Sequence, residues 1–570
     1  MRYMALATDY DGTLAKDGHV DKTIIDALGE FKSSGRKLIL VTGRELPELL
    51  DVFPEIDLFD IVVAENGALL YDPATHSEKL LCEPPKEELV KLLKKRNVDP
   101  MSVGRAIIAT WKPFEKVVLE AIRDIGLEMQ VIFNKDAVMV LPSGINKASG
   151  LQAALKDLQL SPHNIAAIGD AENDHAFLSY CEFSAVVSNA LTVLKDRADY
   201  ICMSDHGAGV IEFMEKIMKS DLAEYTEHID RHRMNIGTAF DGSAVQIDLT
   251  GVNIMLAGSS GGGKSTLAGT LLENLINKKY QFCIIDPEGD YKDFPETLMS
   301  GSPKKQPEIE EIIKILQNPD QNCVVSLVGQ SLDDRPRFFE ILMPSLVELR
   351  IRTGRPHWII IDETHHVLHS AWARAAVAVP SELSGMIYLT IEPGNIAPAV
   401  LSSVDILITV GQNPKKTMGI FAEAMGVELP AIPEADLQTG QAILWNISKQ
   451  QTPFVFTTNV PEIERHRHVL KYVEGELPQE RSFYFRGPEN KLKLRAQNLM
   501  IFLQIGEGVD DDTWMYHLKN GDYSEWFRIM IKDEDLAGEA WEIENRKDIS
   551  AEDSRKLIRQ KIESRYTIAG

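Results

Sequence analysis

The stretch LAGSSGGGKSTLAG, residues 256–269, constrains the fold of this chain more than any other part of its sequence. The spacing GxxxxGKS runs from Gly258 to Ser265, with the apolar run VNIMLAG before it and the helix-like pattern STLAGTLLENLINKK after it. A glycine-rich loop that leads from a strand into a helix presents backbone N–H groups to phosphate. The stretch therefore predicts a strand–loop–helix unit of an α/β domain that binds a nucleotide.

This loop lies in the second of two regions in which short apolar runs alternate with amphipathic helical patterns. The first region includes YMALATDYDG, KLILVTGRE and NIAAIGDAEND, and the second includes QFCIIDPEGD, HWIIIDET and DILITVGQ. Such alternation predicts parallel sheets covered by helices, with functional groups at the carboxyl ends of the strands. Because a chain of 570 residues is too long for one core, we expect several domains.

Changes of pattern predict where these domains begin and end. The first α/β domain covers 1–219 and contains a small α+β insert at about 82–140, with KEELVKLLKKRN and MQVIFN. The polar stretch 220–235 is interpreted as a linker, and 236–480 as the second α/β domain. The pattern of residues 481–570 predicts a helical module, and this segment contains no chemical motif. The expected core residues of this module are Trp514, Trp526 and Trp541.

Two aspartates follow the first apolar strand of the chain. Asp9 ends the run ALATD, and Asp11 follows two residues later in DYDGTL. A carboxylate at a strand tip can attack phosphorus as a nucleophile, and a second one nearby can protonate the leaving oxygen and then activate water. Because two close carboxylates repel each other, we expect a divalent cation with oxygen ligands, Mg²⁺, between them.

Further polar residues follow later strands of the same domain. VTGRE offers a phosphate the Thr42 hydroxyl and the adjacent backbone N–H groups, including that of Gly43. INKASGL places Lys147 just before a helix as a compact positive charge, and IGDAENDHAF adds Asp170 and Asp174 as metal ligands or their supports. Since the strands are predicted to be parallel, we expect these side chains to meet at one edge of the sheet and to form a phosphatase site.

In this order the four motifs resemble those of the haloacid dehalogenase superfamily, in particular its Cof-type, sucrose-phosphatase-like branch. The insert lies between the threonine and lysine motifs, as it does in that branch. The resemblance implies a Rossmann-like domain with an α+β cap, small phosphorylated substrates and an aspartyl-phosphate formed on Asp9. The other implied roles are general acid/base for Asp11, whose backbone carbonyl also binds Mg²⁺, phosphoryl binding for Thr42 and Lys147, and metal binding for Asp9 and Asp170.

The nucleotide loop has an acidic counterpart in HWIIIDETHH. Lys264 is expected to reach the β- and γ-phosphates, and Ser265 to bind Mg²⁺. Asp362 would support this Mg²⁺, and Glu363 would polarise the attacking water. The remaining predicted nucleotide-binding residues are Gly258, Gly261, Gly263 and Thr266. Together they predict that the second domain binds and hydrolyses ATP.

The sequence around this loop resembles the HerA/FtsK-like ATPases over about 235–455. The resemblance rests on AFDGSAVQIDLTGVNIMLAGSSGGGKST, CIIDPEGDY, IIIDETHHVL and LQTGQAILWN. It implies a RecA-like P-loop ATPase domain that forms rings, with hexamers expected and with an arginine supplied by the neighbouring subunit. The candidate arginines, each of which also fits a surface salt bridge, are Arg335, Arg337, Arg352 and Arg355.

One segment departs from the pattern of these ATPases. The family places a glutamine after the strand that follows the acidic one, whereas this chain has Ile391 and Glu392 in LTIEPGN. Gln412 comes one apolar run later. The departure leaves open which residue senses the γ-phosphate.

The composition narrows the class of protein. The net charge is −25, and no segment has the basic excess that is typical of a dedicated nucleic-acid binder. Five scattered cysteines without a CxxC spacing favour reduced thiols. No run approaches 18 apolar residues, and MRYMALATDYDG is typical of a first strand and not of a signal peptide. We therefore expect a cytoplasmic protein without membrane contact.

Two classes of function fit these motifs. The favoured one is a Mg²⁺-dependent phosphomonoesterase for a small metabolite, such as a sugar phosphate, coupled to an ATP-hydrolysing, ring-forming domain. The alternative is a nucleic-acid processing machine that combines a DNA translocase-like ATPase with a DNA/RNA-end or nucleotide phosphatase. A nucleotide-gated scaffold without turnover is a third possibility, against which the set of Lys264, Asp362 and Glu363 argues. The acidic charge favours the first class over the second.

Overall fold

The computed structural model describes residues 1–134, 136–226, 229–259, 263–292, 294–371, 380, 383–432, 437–461, 477, 481–531 and 533–566. The chain divides into two compact units. One unit consists of Met1–Lys264 and Asn274–Asn459, and the other of Ser265–Glu273 and Val460–Gly570. None of the described helices is long and apolar enough to cross a membrane.

The first 232 residues alternate strands and helices as the sequence predicts. The strands are β1 Ala5–Thr8, β2 Lys37–Val41, β3 Ile61–Ala64, β4 Leu69–Asp72, β5 Ser77–Leu80, β6 Met101–Val103, β7 Ile108–Trp111, β8 Met129–Asn134, β9 Ala137–Pro142, β10 Ile165–Gly169, β11 Phe183–Val186 and β12 Tyr200–Ile201. The helices are α1 Lys22–Ser33, α2 Leu46–Val52, α3 Glu87–Lys95, α4 Glu115–Ile125, α5 Lys147–Asp157, α6 His175–Tyr180, α7 Thr192–Lys195, α8 His206–Ser220 and α9 Ala223–Thr226. Short 3₁₀ turns cover Ile56–Leu58, Glu65–Gly67, Pro162–Asn164, Glu172–Asp174 and Asp230–His232.

The main sheet of this domain has the strand order β12-β11-β10-β1-β2-β3-β4-β5. Its central strands are parallel and buried, as expected for a sheet that helices cover on both faces. β1 lies between β2 and β10, with Thr8 opposite Leu40 and Ile168. The carboxyl ends of these strands therefore bring Asp9 and Asp170 to the same edge of the sheet.

The cap is a separate α+β layer inserted into this domain. β6 to β9 form an antiparallel sheet in the order β6-β7-β9-β8. Helices α3 and α4 pack on it through Leu89, Leu93, Val118 and Ile122. The predicted α/β class, with a Rossmann-like domain and an α+β cap, is confirmed.

The second domain continues the alternation. Its strands are β13 Arg233–Ala239, β14 Ala244–Asp248, β15 Ile254–Gly258, β16 Phe282–Asp286, β17 Thr297–Ser300, β18 Asn322–Ser326, β19 Trp358–Ile361, β20 Met386–Thr390, β21 Ile406–Val410, β22 Gln441–Asn446 and β23 Phe454–Thr458. Its helices are α10 Lys264–Asn277, α11 Ile309–Gln317, α12 Asp334–Thr353, α13 Pro398–Leu401 and α14 Pro414–Met425, with 3₁₀ turns at Thr364–His366 and Pro393–Asn395.

The strand order of the second domain is β14-β13-β23-β22-β21-β15-β20-β19-β16-β18-β17. The strand before the nucleotide loop, β15, runs parallel to β20 and β21. β19, which ends at the acidic pair, lies between β20 and β16. The sheet is mixed, because β22, β23, β13 and β14 pair antiparallel while the strands from β21 to β17 in this order are parallel. The predicted α/β fold of a P-loop ATPase domain is confirmed, with Gly258 and Asp362 at the carboxyl ends of parallel strands.

The C-terminal residues build an aromatic helical core. The elements are β24 Phe483–Phe485, β25 Leu494–Ala496, α15 Leu499–Gly508, α16 Asp511–Asn520, α17 Asp522–Trp526, a π-helical turn Phe527–Ile531, α18 Glu534–Glu544 and α19 Ala551–Tyr566, with a 3₁₀ turn at Pro488–Asn490. Trp514 and Trp526 are buried in this core, as predicted. The prediction for Trp541 is wrong, because its side chain is 55% exposed.

The two α/β domains meet through a buried polar contact centred on Glu182. This carboxylate accepts hydrogen bonds from Arg2 Nη2 at 2.7 Å and from the Tyr280 hydroxyl, in the second domain, at 2.6 Å. Its other oxygen lies 2.6 Å from His163 Nδ1, and the His163 ring stacks on Tyr280 with centroids 3.9 Å apart. His232 Nε2 lies 2.9 Å from the Glu182 carbonyl oxygen. We call these residues the Glu182 cluster.

A second set of buried contacts flanks the Glu182 cluster. His357 Nδ1 accepts the backbone N–H of Gln281 at 2.9 Å, so its Nε2–H donates to Asn164 Oδ1 at 3.1 Å. Arg355 is fully buried and donates to the carbonyl of Gln159 at 2.6 Å and to the Gln281 side chain at 2.8 Å. The two α/β domains of the first unit therefore share a continuous hydrogen-bonded contact, and the segment predicted as a linker contributes His232 to it.

Substitution of Gly354 probes how tightly the two domains are packed at this contact. It ends α12 with φ 71°, and a Cβ atom there would lie 2.3 Å from Asn164 Nδ2. Gly426 ends α14 with φ 67° and has no atom within 4 Å of its Cβ position. Both alanine variants should lose about 1–2 kcal/mol to the left-handed backbone, and Gly354→Ala should lose clearly more in urea unfolding. Equal losses would contradict the close contact between the domains.

Candidate active sites

Asp9 and Lys147 form the centre of the first site. Lys147 Nζ lies 2.5 Å from Asp9 Oδ1 and 2.5 Å from Asp174 Oδ1, and the three side chains are buried. Burial and the negative charge of Asp174 raise the pKa of Asp9 well above its ordinary value, although Lys147 opposes them. Burial alone would lower the pKa of Lys147, but the two carboxylates outweigh it and raise that pKa. The site therefore holds a buried ammonium group against the predicted nucleophile.

The start of α5 fixes the position of Lys147. Asn146 Oδ1 accepts the backbone N–H groups of Ala148 at 2.9 Å and Ser149 at 3.0 Å. Ser149 Oγ in turn accepts the backbone N–H of Asn146 at 2.9 Å. This reciprocal capping box satisfies the first free N–H groups of the helix. Lys147, the first residue of α5, is thereby held where its ammonium group reaches Asp9.

Three carboxylates of this site lie close enough to share a cation. Oxygen atoms of Asp9, Asp170 and Asp174 lie within 4.8 Å of one another. Thr13 Oγ1 donates to Asp170 Oδ1 at 3.1 Å, and Asp174 Oδ2 accepts the backbone N–H groups of Asp170 and Ala171. Hard oxygen donors of this kind suit Mg²⁺, so the residues present fit the predicted cofactor. Asp174 contacts both Lys147 and the loop after β10, and its role as a metal ligand or as a support for the other two acids stays a prediction.

Arg44 forms a bidentate pair with the second predicted catalytic aspartate, Asp11. The Arg44 Nε and Nη2 atoms each donate to an Asp11 carboxylate oxygen at 2.7 Å, a bidentate arrangement. Between Asp9 and Thr13 the chain turns at Gly12, which has φ 88°, and a Cβ atom there would lie 2.4 Å from Asp170 Oδ2. Sequence reasoning missed Arg44, although its place in VTGRE was the available signal.

The cap covers Gly43 and its surroundings. A Cβ atom at Gly43, the residue after Thr42, would lie 3.3 Å from Met139 Cε of the cap. Asn66 Nδ2 donates to Met139 Sδ at 2.7 Å, and Asn173 Nδ2 donates to Asn66 Oδ1 at 3.1 Å. Asn173 Oδ1 is buried and has no hydrogen-bond partner among the described residues. The cap strand β9 therefore closes over the predicted phosphate-binding residues.

Glu65 ties the cap to the domain beneath it. Its side chain is fully buried and accepts the backbone N–H groups of Arg105 at 2.9 Å, Ala106 at 2.7 Å and Ile107 at 3.1 Å, in the turn between β6 and β7. The residue has φ 52°, a left-handed conformation that is uncommon outside glycine. Sequence reasoning missed Glu65, because nothing in AENGA indicates which backbone it will meet.

The second site forms at the edge of the second sheet. Lys264 begins α10 after Gly263, whose φ is 96°, and its Nζ lies 2.9 Å from the carbonyl oxygen of Gly258 and 3.4 Å from that of Ser259. Burial lowers the pKa of Lys264. Of the other predicted nucleotide-binding residues, Ser265 and Thr266 follow in α10, and Gly261 lies outside the described residues.

The acidic residues of the second site follow neighbouring strands. Asp362 and Glu363 come directly after β19, and burial raises the pKa of Asp362 to about 7 and also raises that of Glu363. Lys264 lies near enough to oppose the shift of Glu363. Asp286, at the end of β16, is fully buried and accepts the backbone N–H groups of Gly289 and Tyr291. Asp286 thus shapes a turn, whereas Asp362 and Glu363 remain available to a nucleotide and its metal.

One of the candidate arginines is placed differently from the prediction. Arg355 was expected either at a subunit boundary or in a surface salt bridge. It is fully buried and hydrogen-bonded to Gln159, Gln281 and the carbonyl of Leu316. The prediction is wrong, because a buried guanidinium group cannot reach a neighbouring subunit. Arg337 and Arg352 are exposed, and their role stays a prediction.

Comparisons with known proteins match both α/β domains. The haloacid dehalogenase-like hydrolase family matches residues 6–113 and 109–214, and the family of the central domain of helicase HerA matches residues 234–354. The fold and these matches define an enzyme in which a phosphatase-type hydrolase is joined to a P-loop ATPase domain. The chain belongs to the haloacid dehalogenase-like hydrolases, and it carries a HerA central domain after the hydrolase.

Several archaeal phosphatases are similar to the first domain. Phosphoglycolate phosphatase 1 of Saccharolobus solfataricus is 30% identical over 37% of this chain and 95% of its own length. Phosphoglycolate phosphatase 2 of the same organism is 28% identical over 38% of this chain and 94% of its own length. The phosphoglycolate phosphatase of Methanothermobacter thermautotrophicus is 29% identical over 38% of this chain and 98% of its own length. The likeness covers the first domain with its cap.

Asp9→Asn should abolish phosphatase turnover and leave the fold intact. The amide is nearly isosteric with the carboxylate but is a poor nucleophile, so a loss of roughly 10³-fold or more in kcat is expected. The matched control is Asp26→Asn on the exposed face of α1, which should keep the wild-type rate. Steady-state phosphate release and thermal unfolding measure the two properties. Wild-type turnover in Asp9→Asn would contradict the assignment of the nucleophile.

Proposed function

We propose that this protein is a Mg²⁺-dependent phosphomonoesterase whose turnover responds to nucleotide in the attached ATPase domain. The observation that carries the first part is the buried group of Asp9, Lys147, Asp170 and Asp174 at one sheet edge under a cap. The observation that carries the second part is the hydrogen-bonded contact between the two α/β domains.

The proposed reaction proceeds in two displacements at Asp9. An Asp9 oxygen attacks phosphorus, the phosphate ester bond breaks, and Asp11 gives its proton to the leaving oxygen. Asp11 then takes a proton from water, whose oxygen attacks the aspartyl-phosphate, so that inorganic phosphate leaves and Asp9 is restored. Lys147 holds the phosphoryl oxygens by charge. Mg²⁺, bound by Asp9, Asp170 and the Asp11 carbonyl, would supply further positive charge to those oxygens.

Arg44 engages both oxygens of the Asp11 carboxylate. Its Nε atom donates to Oδ2 and its Nη2 atom donates to Oδ1. Asp11 must leave this contact before it can protonate a leaving group. We propose that substrate binding breaks the Arg44–Asp11 pair, which ties proton transfer to an occupied site.

The proposed substrate is a small phosphorylated carboxylic acid, with phosphoglycolate as the first candidate. The relatives named above are phosphoglycolate phosphatases, and this chain matches almost the whole length of each of them. The cap supports a small substrate, because Met139 lies close over Gly43 and Glu65 holds the β6–β7 turn down. Sugar phosphates are the second candidates, since they also fit under a closed cap.

The ATPase domain is proposed to bind and hydrolyse Mg²⁺-ATP through Lys264, Ser265, Asp362 and Glu363. The buried position of Asp362, whose pKa burial raises to about 7, fits an acid that is ionised when a cation is nearby. Homo-oligomeric rings, with hexamers as the first candidate, are part of this proposal, and sedimentation with and without ATP tests them. A phosphatase on each subunit would then keep the same orientation toward the ring.

The path proposed to join the two sites follows parallel strands. Asn164 precedes β10, which ends at Asp170, and His357 precedes β19, which ends at Asp362. Asn164 and His357 are hydrogen-bonded to each other. At about 3.3 Å per residue, Asp362 lies roughly 17 Å and Asp170 roughly 20 Å from this contact along its own strand. A shift of either strand therefore acts on the contact directly, without passing through a flexible segment.

A panel of phosphatase substrates tests the proposed function. Phosphoglycolate, sugar phosphates, nucleotides and DNA with 3′- or 5′-phosphate are each assayed with Mg²⁺, with EDTA, and with or without ATP. The proposal expects Mg²⁺-dependent release from a small phosphorylated acid or sugar and loss of release in Asp9→Asn. Turnover of phosphorylated DNA alone would contradict it and would favour the nucleic-acid processing alternative.

Tyr280→Phe should weaken the response of the phosphatase to nucleotide. Coupling between sites usually amounts to about 1–3 kcal/mol, or roughly 5–150-fold. Tyr280 touches neither active site, so both basal activities should survive loss of its hydrogen bond to Glu182. The matched control is Tyr200→Phe, which removes a Tyr–Glu212 hydrogen bond inside the first domain.

The measured quantity is the ratio of phosphatase kcat/KM with and without saturating ATP. It should move toward one in Tyr280→Phe and stay at the wild-type value in Tyr200→Phe. An unchanged ratio in Tyr280→Phe would show that the coupling does not run through the Glu182 cluster. A ratio of one in the wild-type protein would contradict the regulatory part of the proposal.

A further inference from the structure

His365 lies beside the candidate water-polarising glutamate of the ATPase domain. It is buried in the turn after β19, and its Nδ1 atom lies 3.4 Å from Glu363 Oε2 and 3.2 Å from Thr390 Oγ1. One ring nitrogen therefore faces a carboxylate and a hydroxyl group at the same time. The proposed roles of Lys264, Ser265, Asp362 and Glu363 leave this histidine without a function.

Glu363 needs a partner to hold its carboxylate. Its Oε2 atom is buried and forms no hydrogen bond with any described residue. The backbone at Glu363 has φ 39°, and its N–H donates to Asp362 Oδ1 at 2.9 Å. A buried carboxylate oxygen without a partner is costly. His365 Nδ1 lies 3.4 Å from this oxygen and can donate to it.

Thr390 connects His365 to the nucleotide loop. It is the last residue of β20 and lies opposite Ala257, the residue before Gly258 at the end of β15. Its Oγ1 atom also accepts the backbone N–H of Glu392 at 3.0 Å. The strand end at which the sequence lacks the expected glutamine thus presents Thr390, whose hydroxyl group contacts the ring nitrogen that faces Glu363.

The charge state of His365 suits a hydrogen-bond donor. Burial and the neighbouring His366 lower the pKa of His365 to about 4, so the ring is neutral near pH 7. A neutral ring carries one N–H group. With its proton on Nδ1 it can donate to the Glu363 carboxylate without adding a charge that would compete for the nucleotide.

We propose that His365 is a positioning residue that orients Glu363 for ATP hydrolysis, with Thr390 fixing the ring relative to the nucleotide loop. The juxtaposition of His365 Nδ1 with Glu363 Oε2 and Thr390 Oγ1 carries this inference. It rests on the proposed role of Glu363 in hydrolysis.

The choice of His365 variants depends on which ring nitrogen contacts Glu363. The side-chain amide of asparagine places a polar atom where His365 has Nδ1, whereas glutamine places one near Nε2. His365→Asn should therefore retain ATP hydrolysis, and His365→Ala and His365→Gln should not. The matched control is His366→Ala, the adjacent histidine, which stays half-exposed. Glu363→Gln is included to test the glutamate itself.

Single-turnover and steady-state ATP hydrolysis, together with binding of a fluorescent ATP analogue, give the readouts. His365→Ala should lower kcat about tenfold or more, part of the roughly 10²–10⁴-fold that a positioned base contributes, with KM and analogue binding unchanged. His365→Asn should stay within about threefold of the wild type. A thermal midpoint near the wild-type value excludes a loss of fold.

The outcomes separate this inference from the proposed function. A wild-type rate in His365→Ala, with Glu363→Gln impaired, would overturn the role of His365 alone. An equal loss in His365→Ala and His365→Asn would also overturn it, because the Nδ1 position would then be irrelevant. A wild-type rate in Glu363→Gln, or a wild-type protein that binds ATP without hydrolysing it, would overturn the proposed hydrolytic role and this inference with it.

Discussion

The burial of one carboxylate, Glu182, determines how the two catalytic domains are joined. A buried charge is costly unless it is paired and hydrogen-bonded. Burial alone would raise the pKa of Glu182, but the hydrogen bond and charge of His163 and the charges of Arg2 and His232 outweigh it and hold that pKa well below its ordinary value. Because Tyr280 comes from the second domain, separating the domains would remove a partner from a buried ion. The contact is therefore specific in geometry, because only this arrangement of the domains supplies every partner of the buried carboxylate.

The contact between the domains also links the strands that lead to the two candidate sites. Asn164 and His357 stand at the amino ends of β10 and β19, and Asp170 and Asp362 follow the carboxyl ends of the same strands. The two candidate sites thus lie at the carboxyl ends of strands whose amino ends form the contact between the domains. Small displacements in packed strands are transmitted, because protein interiors are close-packed and poorly compressible. Direct exchange of a phosphoryl group between the sites has no support in this arrangement.

The sequence predicts the strand tips well and the contact between the domains poorly. Asp9 and Lys264 belong to local motifs that follow apolar runs, so the neighbouring residues are enough to predict them. Glu182 and Tyr280 belong to no motif, and their meeting depends on the packing of two domains far apart in the chain. Arg355 was misplaced for the same reason, because a fully buried guanidinium group is rare and its carbonyl partners carry no sequence signal. The functions of the predicted site residues stay predictions until the variants are measured.

The most direct test of the account is the temperature at which phosphatase activity is lost, measured with and without a non-hydrolysable ATP analogue. A ligand at 100 times its Kd stabilises the state that binds it by about 2.7 kcal/mol. If the two α/β domains unfold together, the analogue should raise the phosphatase midpoint as much as it raises the ATPase midpoint, and Lys264→Ala should remove both shifts. A phosphatase midpoint that stays constant while the ATPase midpoint rises would contradict a shared framework.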